Sequence, residues 1–413
     1  MTGTISVAGT NSCGSGTAST LPVTVNLRPT PTITGPSTAC ANTTGHTYTT
    51  QSGMSNYQWT VSSGWTIASG QGTSFITVTW NTQGSQTVEV NYTTAAGCAA
   101  LIPASFPVTV NPNPTPSISG PISACAGSTG NIYSTQTGMS NYQWTVSSGG
   151  TITAGGSSTS SSVTVTWNSP GAQSVSVNYT NPNGCSSPIP GTKNVTVNPL
   201  PVPTVTGPNS ACVNSSGNVY STQGGMTNYQ WSVSTGGNIT GGYGTNTITI
   251  TWISTGTKTV SVIYTNNNGC TAIVPGVDTV QVNPRPVPTI TGPSSVCAGT
   301  SGHVYTTETG MSNYQWTVST GGTITSGSGT NSITVSWGIS GSRTVTINYA
   351  NSYGCNALTA TSYAVTVFSP PNPSLTGPDS LCRNTSGNIY TTESGMSNYQ
   401  WTVSSGGDRK SVV

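Results

Sequence analysis

The sequence predicts an all-β protein made of tandem β-sandwich modules of about 85 residues each, arranged as an extended array. Three observations predict this. A six-residue phrase, M[ST]NYQW, recurs five times at nearly constant spacing, starting at Met54, Met139, Met226, Met311 and Met396. Between its copies, apolar and polar residues alternate with a period of two, which is typical of strands with one buried face. Pro-rich joints separate the copies, and no segment has helical periodicity.

The repeats define the boundaries of the modules. A second phrase, GPxxxC, starts at Gly35, Gly120, Gly207, Gly292 and Gly377, and a Pro-rich joint stands in front of each copy. Alternating Pro favours extended, semi-rigid backbone and cannot continue the hydrogen bonds of a sheet. We therefore predict complete modules 1 to 4 at residues 29–112, 113–199, 200–284 and 285–369, the C-terminal part of a truncated module at 1–28 and the N-terminal part of another at 370–407.

Alternation inside one module predicts its strands. In module 4, three apolar sets alternate with Gln, Thr and Ser, and Gly-Gly or Asn-Gly pairs separate the runs. We expect about seven short antiparallel strands in each module, folded into two sheets with the apolar faces inward and the Ser, Thr and Asn faces outward. The three sets are Tyr314, Trp316 and Val318; Ile333, Val335 and Trp337; and Val345, Ile347 and Tyr349.

Composition excludes several classes of partner. The 413 residues include eight Lys or Arg and six Asp or Glu, for a net charge of +2. Phosphate backbones and anionic membranes require clustered basic residues, so we predict no nucleic-acid partner. No apolar run reaches the length of about 18 residues that a spanning helix needs, so we predict no membrane insertion. The ten Trp and seventeen Tyr argue against disorder.

Ten cysteines indicate a disulfide framework, because their spacing is regular and no CxxC or His-rich pattern suggests zinc. We predict that the two cysteines of each complete module pair with each other. An alternative remains open, in which cysteines pair across the joints, at a shorter separation that is the same for every pair. We favour the first scheme because junction cysteines would lie on different bodies, beyond the Cα limit of about 7 Å. The predicted pairs are Cys40 with Cys98, Cys125 with Cys185, Cys212 with Cys270 and Cys297 with Cys355.

Aromatic residues on the apolar faces are predicted to fill cores that are poor in Leu and Phe. Trp65 stands where the other modules have Gly, and we expect it to be an exposed contact residue. The predicted core aromatics are Tyr57, Trp59, Trp80, Tyr142, Trp144, Trp167, Tyr229, Trp231, Trp252, Tyr314, Trp316 and Trp337.

Catalysis requires titratable groups that converge, and this chain has few. His46 and His303 occupy a repeat position that is Asn in the other copies, and Glu308 and Glu393 occupy one that is otherwise Gln. Such exchanges are typical of structural polar positions. The remaining acidic residues are isolated, so we predict no catalytic residue, no metal site and no cofactor.

The phrases NYQWTVSTGGTITSGSGTNSITVSW, TVTINYANSYGC and GPSSVCAG resemble PKD-like modules, which are relatives of immunoglobulin-type sandwiches. Such modules occur in tandem in large secreted and surface proteins of Bacteroidetes-type bacteria. The resemblance covers residues 1–407 and implies spacer, stalk or adhesin roles. One departure is that WTVSSGG and WTVSTGG lack the acidic residue that follows the Trp in typical PKD modules.

The functional prediction is a non-enzymatic stalk in an extracellular or cell-surface protein. At about 40 Å for each module, four modules would extend roughly 160 Å. Two alternatives are repeats that bind carbohydrate as an adhesin, and the spacer of a secreted hydrolase whose catalytic domain lies outside these residues. The expected partners are glycans or other surface proteins, together with contacts between modules of the same chain.

The last six residues, Asp408 to Val413 (DRKSVV), depart from the repeat. They resemble the translation of a common sequencing adapter, and we expect them to be a non-native tail. The opening residues lack the pattern of a signal peptide, so we expect the export signal to lie outside this sequence.

Overall fold

The computed structural model describes residues 1–404, and the predicted tail at 408–413 lies outside them. The described residues form β-strands and contain no α-helix, as the alternation predicted. They divide into two compact units, one of residues 1–202 and 264–273, the other of residues 203–263 and 274 onward.

Module 1 shows how the repeat folds. One sheet has four strands in the order β5-β11-β10-β7, and the other has three in the order β6-β9-β8. Seven strands agree with the number that the alternation predicted. They are β5 (Thr38–Cys40), β6 (Thr43–Thr49), β7 (Ser55–Val61), β8 (Trp65–Ser69), β9 (Phe75–Trp80), β10 (Gly84–Thr93) and β11 (Ala104–Asn111).

The expectation that all strands are antiparallel is wrong for the first strand. β5 runs parallel to β11, with Cys40 opposite Asn111. The GPxxxC phrase positions β5, because a Cβ atom on Gly35 would come within 2.3 Å of the ring of Tyr48. The Tyr48 hydroxyl also donates a hydrogen bond to the carbonyl of Pro36, at 3.1 Å. The chain therefore crosses closely over this ring before β5 begins.

Modules 2 to 4 repeat both sheets with the same strand order. Module 2 has β12 (Ser123–Cys125), β13 (Asn131–Ser134), β14 (Ser140–Val146), β15 (Gly150–Gly155), β16 (Ser162–Trp167), β17 (Gly171–Thr180) and β18 (Gly191–Asn198). Module 3 has β19 (Ser210–Cys212), β20 (Ser215–Ser221), β21 (Thr227–Val233), β22 (Gly237–Gly241), β23 (Thr247–Trp252), β24 (Gly256–Thr265) and β25 (Gly276–Asn283). Module 4 has β26 (Ser295–Cys297), β27 (Thr300–Thr306), β28 (Ser312–Val318), β29 (Gly322–Ser326), β30 (Ser332–Trp337), β31 (Gly341–Ala350) and β32 (Thr361–Phe368).

The partial repeats form less structure. At the start, β1 (Thr2–Val7) pairs with β4 (Ser19–Thr24), and β2 (Thr10–Asn11) pairs with β3 (Gly14–Ser15). Residues 370–404 contain one isolated pairing, between Thr376 and Thr391. Neither stretch contributes residues to the four hydrophobic cores.

Each core lies between the two sheets of its module. In module 1, Ile76, Val78 and Trp80 on alternate positions of β9 are fully buried. Trp80 meets Tyr48 edge to face, with ring centroids 6.2 Å apart, and its indole N–H donates to the tyrosine hydroxyl at 3.3 Å. The pair thus combines apolar burial with a satisfied polar group, as a buried Trp requires.

Candidate functional site at the module joints

The Pro-rich joint that enters each module is held by a side chain at one repeat position, which we call the clamp residue. In module 1 the clamp residue is Gln51, whose Oε1 accepts a hydrogen bond from the Thr32 amide at 3.1 Å. Its Nε2 donates to the Thr32 hydroxyl at 2.8 Å, and the Tyr92 hydroxyl donates to Oε1 at 2.8 Å. Gln136 and Gln223 bind Ser117 and Thr204 in the same way. The joint backbone is therefore tied to the sandwich that follows it.

The MSNYQW phrase supports the clamp residue. The Tyr57 hydroxyl donates to the backbone carbonyl of Gln51 at 2.8 Å and accepts from the Met54 amide at 3.0 Å. Asn56 adopts a left-handed conformation with a φ of 52°, which Asn tolerates better than most residues. The phrase recurs because it builds this turn beside each joint.

Module 4 has a carboxylate as its clamp residue. Glu308 accepts hydrogen bonds from the Thr289 amide at 3.1 Å, from the Thr307 hydroxyl at 2.7 Å and from the Tyr349 hydroxyl at 2.8 Å. Burial alone would raise the pKa of this carboxyl, but the hydrogen bonds from Thr289, Thr307 and Tyr349 outweigh it and lower the pKa to about 2. Burial and the contact with Glu308 raise the pKa of Tyr349. Glu308 is thus a charged structural acceptor.

A second side chain of the same module also binds the joint, an Asn that lies four residues before the cysteine of a Gly-Cys turn. Asn181 Nδ2 donates to the carbonyl of Pro112 at 3.2 Å, and its Oδ1 accepts from the Cys185 amide at 2.9 Å. Asn351 makes the same two bonds, to Pro284 at 2.9 Å and from Cys355 at 3.0 Å. One side chain therefore fixes both the joint and the cysteine beside it.

The disulfide bonds link neighbouring modules, so the predicted pairing within modules is wrong. The cysteine that ends the first strand of one module, which we call the strand cysteine, pairs with the cysteine of the Gly-Cys turn of the next module, the turn cysteine. The Cα atoms of each pair lie 5.6–5.7 Å apart. The bridges are Cys40–Cys185, Cys125–Cys270 and Cys212–Cys355, with sequence separations of 145, 145 and 143.

Strand register explains why cysteines within a module do not pair. Cys40 lies opposite Asn111, and Gly84 at the start of β10 lies opposite Val110, at the same end of the sheet. Cys98 follows the other end of β10, which is about 30 Å away at the rise of a strand. That distance far exceeds the Cα limit of about 7 Å for a disulfide.

The alternative pairing across the joints is also wrong. It would pair Cys98 with Cys125, yet each of them lies at the end of its module that is remote from the joint at Pro112, again by about 30 Å. Cys98 remains a free thiol whose Sγ lies 3.9 Å from the carbonyl oxygen of Asn26. The other free cysteines are Cys13, Cys297 and Cys382.

Two sequence signals could have identified the pairing. The separations of 145, 145 and 143 are about as regular as those of the two schemes that the sequence suggested. The Asn four residues before the cysteine is present at all three bridged turns, as Asn181, Asn266 and Asn351. The resemblance to PKD-like modules does not by itself indicate which cysteines pair.

The predicted aromatic residues lie in or beside the cores. Trp80, Trp167, Trp252 and Trp337 are fully buried. Trp59, Tyr142, Trp144 and Trp316 are at most 7% exposed, whereas Tyr57, Tyr229, Trp231 and Tyr314 are half-buried. Each module therefore has one fully buried Trp and a second Trp closer to its surface.

Trp65 is not an exposed contact residue, contrary to the prediction. It is half-buried and packs against the core of module 1. The glycines at this position in the other modules do not mark open space. In module 4, for example, the ring of Trp337 lies against Gly322, and a Cβ atom there would come within 2.5 Å of it. In module 1, Trp65 pairs in register with Trp80 and covers that edge of the core itself.

The titratable residues do not converge. His46 Nε2 lies 2.7 Å from the Thr43 hydroxyl, and burial lowers its pKa. His303 makes the same contact with Thr300, at 2.7 Å. Among residues 1–404 no three His, Cys, Asp or Glu side chains group as metal ligands would. Over the same residues, no helix is long and apolar enough to cross a membrane.

Comparison with protein families gives one match, repeated four times. The family model described as "PKD-like domain" matches residues 27–106, 111–195, 198–275 and 283–365. No curated protein matches the sequence.

Several solved structures are similar to this chain at low sequence identity. Invasin, a bacterial integrin-binding protein, is 16% identical, with 84% of this chain and 81% of that chain covered and a TM-score of 0.27. An ICAM-5 ectodomain fragment is 11% identical, with 82% and 99% covered and a TM-score of 0.31. The Escherichia coli adhesin FdeC is 15% identical, with 61% and 96% covered and a TM-score of 0.24.

Proposed function

The chain belongs to the PKD-like domain family, and from this premise we propose that it is a non-enzymatic stalk or spacer region of an extracellular or cell-surface protein. The observation that carries the proposal is the construction of the joints. The clamp residue satisfies the joint amide, the turn Asn satisfies a joint carbonyl, and a disulfide crosses from one module to the next. A joint that is hydrogen-bonded to the module after it and spanned by a disulfide has less freedom to bend than a solvated linker.

The use of the titratable side chains also supports a structural role. Glu308 and His46 are engaged in hydrogen bonds to neighbouring Thr residues rather than directed towards a shared cavity. Disulfides persist in oxidising compartments, which supports an extracellular or surface location.

Small-angle scattering of the oxidised protein tests the stalk. We expect a maximum dimension of roughly 160 Å or more for four modules in line. A radius of gyration near about 22 Å, the value for a compact globule of this length, would contradict the proposal.

A second candidate function is adhesion, and one observation favours it. Exposed aliphatic residues follow the Gly-Cys turn in every complete module, and they are 65–79% exposed. They favour contact with a protein surface over stacking on sugars, since the exposed aromatics of the four complete modules do not recur at one repeat position; these are Phe75, Tyr243, Tyr353 and Phe368. The aliphatic residues are Leu101, Ile102, Ile189, Ile273, Val274 and Leu358.

Replacing these six residues with Ser tests the adhesive role. We expect binding to cell or protein-coated surfaces to fall at least severalfold, while a set of matched Thr→Ser changes on the outer sheet faces leaves it intact. Equal binding by both variants would remove this candidate.

A further inference from the structure

We infer that two of the three interlaced disulfides, Cys40–Cys185 and Cys212–Cys355, have a further function, which is to carry tension along the chain so that residues 41–184 and 213–354 are not pulled open. This inference rests on the proposed stalk function, because a stalk transmits force between its ends. The order of the bridged cysteines along the chain shows that the disulfide loops overlap. Cys125 lies between Cys40 and Cys185, while its partner Cys270 lies outside that loop, and Cys212 lies inside the second loop while Cys355 lies outside it.

The bridges create a short covalent route through the repeats. The backbone from Cys40 to Cys355 has about 315 residues and would extend to about 1,000 Å if the modules unfolded. The route through Cys40–Cys185 and Cys212–Cys355 needs only the stretch from 185 to 212, about 27 residues, which extends to about 100 Å. Once this route is taut, residues 41–184 and 213–354 bear no force.

Part of the stretch from Cys185 to Cys212 is already extended and hydrogen-bonded. It contains β18, which pairs with β12 on one side and β17 on the other, followed by a Pro-rich joint and β19. Strands rise about 3.2–3.4 Å for each residue, so β18 and β19 have little slack to release. A force applied along the stretch must also break the hydrogen bonds on both sides of β18 together.

Most of the other strands of the four modules lie within the residues that the bridges bypass, for example β10 and β31. In the reduced protein the same strands carry the force in series, and each module would release on the order of 250 Å on unfolding. Oxidation therefore converts an extensible chain into a tether of nearly fixed length.

Single-molecule pulling of the full chain from its two ends tests the inference, after iodoacetamide has blocked the four free thiols. We expect the fully extended region from Cys40 to Cys355 to be about tenfold longer in reductant than in the oxidised protein. The segments outside these cysteines lengthen equally in every sample. Equal lengths for the oxidised and reduced proteins would overturn the inference.

Two variants that each remove one bridge make the test specific. Without Cys125–Cys270 (Cys125→Ser with Cys270→Ser) the shortest route is unchanged, so we expect the oxidised length. Without Cys212–Cys355 (Cys212→Ser with Cys355→Ser) the route runs back from Cys185 to Cys125 and on from Cys270 to Cys355. It then has about 145 residues, roughly a fivefold increase to about 500 Å. Equal lengthening in both variants would contradict the inferred route.

This result is separable from the proposed stalk function. A compact scattering profile with the expected pulling lengths would refute the stalk and leave the tension route intact. An extended profile with module-by-module unfolding in the oxidised protein would refute the tension route alone.

Discussion

Modules 1 and 4 have the same fold, and each follows a Pro-rich joint. They differ at the clamp residue and at the first residue of the turn before the cysteine. The clamp residue is the neutral Gln51 in module 1 and the carboxylate Glu308 in module 4, yet both accept the amide of a joint Thr at 3.1 Å. The turn before the cysteine starts with Thr94 in module 1 and with Asn351 in module 4, and only the second cysteine is bridged. The joint therefore depends on where hydrogen-bond acceptors and donors lie, and it accepts either a neutral or a charged clamp residue.

Removing the bridge next to module 4 should have the largest effect. A disulfide that closes a loop of about 145 residues contributes about 5 kcal/mol in the chain-entropy model. We expect Cys212→Ser with Cys355→Ser to lower the free energy of unfolding of modules 3 and 4 by a large part of that amount, as measured by denaturant titration. The matched control, Cys98→Ser in module 1, removes a free thiol and should change little. A large loss from the control would show that Cys98 is bridged in solution.

The core tryptophans should matter equally in the two modules. Trp80 and Trp337 are both fully buried, and each donates to a buried tyrosine hydroxyl at 3.3 Å. Replacing either with Ala should destabilise its own module by about 3–5 kcal/mol. Hydrogen exchange with mass spectrometry would show faster exchange of β10 amides for Trp80→Ala and of β31 amides for Trp337→Ala. A clear inequality would mean that Trp65 compensates in module 1.

Acid should distinguish the clamp residues. Hydrogen bonds from Thr289, Thr307 and Tyr349 hold the pKa of Glu308 at about 2, below its ordinary value of 4.5. A lowered pKa stabilises the folded state fully above about pH 4.5, and this contribution is lost as the pH falls towards 2. After allowance for solvent screening, we expect Glu308 to contribute about 1–2 kcal/mol to the free energy of unfolding. Calorimetry of Glu308→Gln at pH 6 and pH 2.5 should show a smaller acid-induced drop in Tm than the native chain shows, and an unchanged drop would contradict this role.

The turn Asn should have the smallest effect. Replacing Asn351 with Thr copies module 1 and removes the donor to the Pro284 carbonyl. A hydrogen bond of this kind contributes about 1 kcal/mol net. We expect the Cys212–Cys355 bridge to form more slowly on reoxidation, as followed by thiol trapping, and the reciprocal change Thr94→Asn should leave bridge formation elsewhere unaffected. Reoxidation at the native rate would show that the disulfide does not need this Asn.

The sandwiches were predicted well from the sequence because their signals are local. Alternation at positions such as Ile333, Val335 and Trp337 marks a strand with one buried face without any knowledge of its partner. The disulfides were mispredicted because pairing depends on which end of a sheet each cysteine occupies. Cys40 and Cys98 belong to the same repeat but lie at opposite ends of β10, a consequence of the parallel β5 that no local pattern reveals.

The exposure of Trp65 was mispredicted for a related reason. A position that is Gly in the other copies suggests open space, yet in those copies a buried Trp ring lies against the glycine. The clamp residues stand out in the sequence only as exchanges of Gln for Glu. Their contacts with a joint earlier in the chain become visible only once the fold brings the two together.

The separation of 145 between bridged cysteines also has a consequence for the order of synthesis. When Cys40 emerges, the earlier Cys13 is already present, and Cys98 and Cys125 follow before its native partner Cys185 is made. A nascent chain that was oxidised while unfolded could therefore trap three wrong partners first. Folding of module 1 as it appears places the thiol of Cys98 about 30 Å from Cys40, at the other end of β10. The sandwich then acts as the template that selects the correct thiol, and oxidation must wait for it.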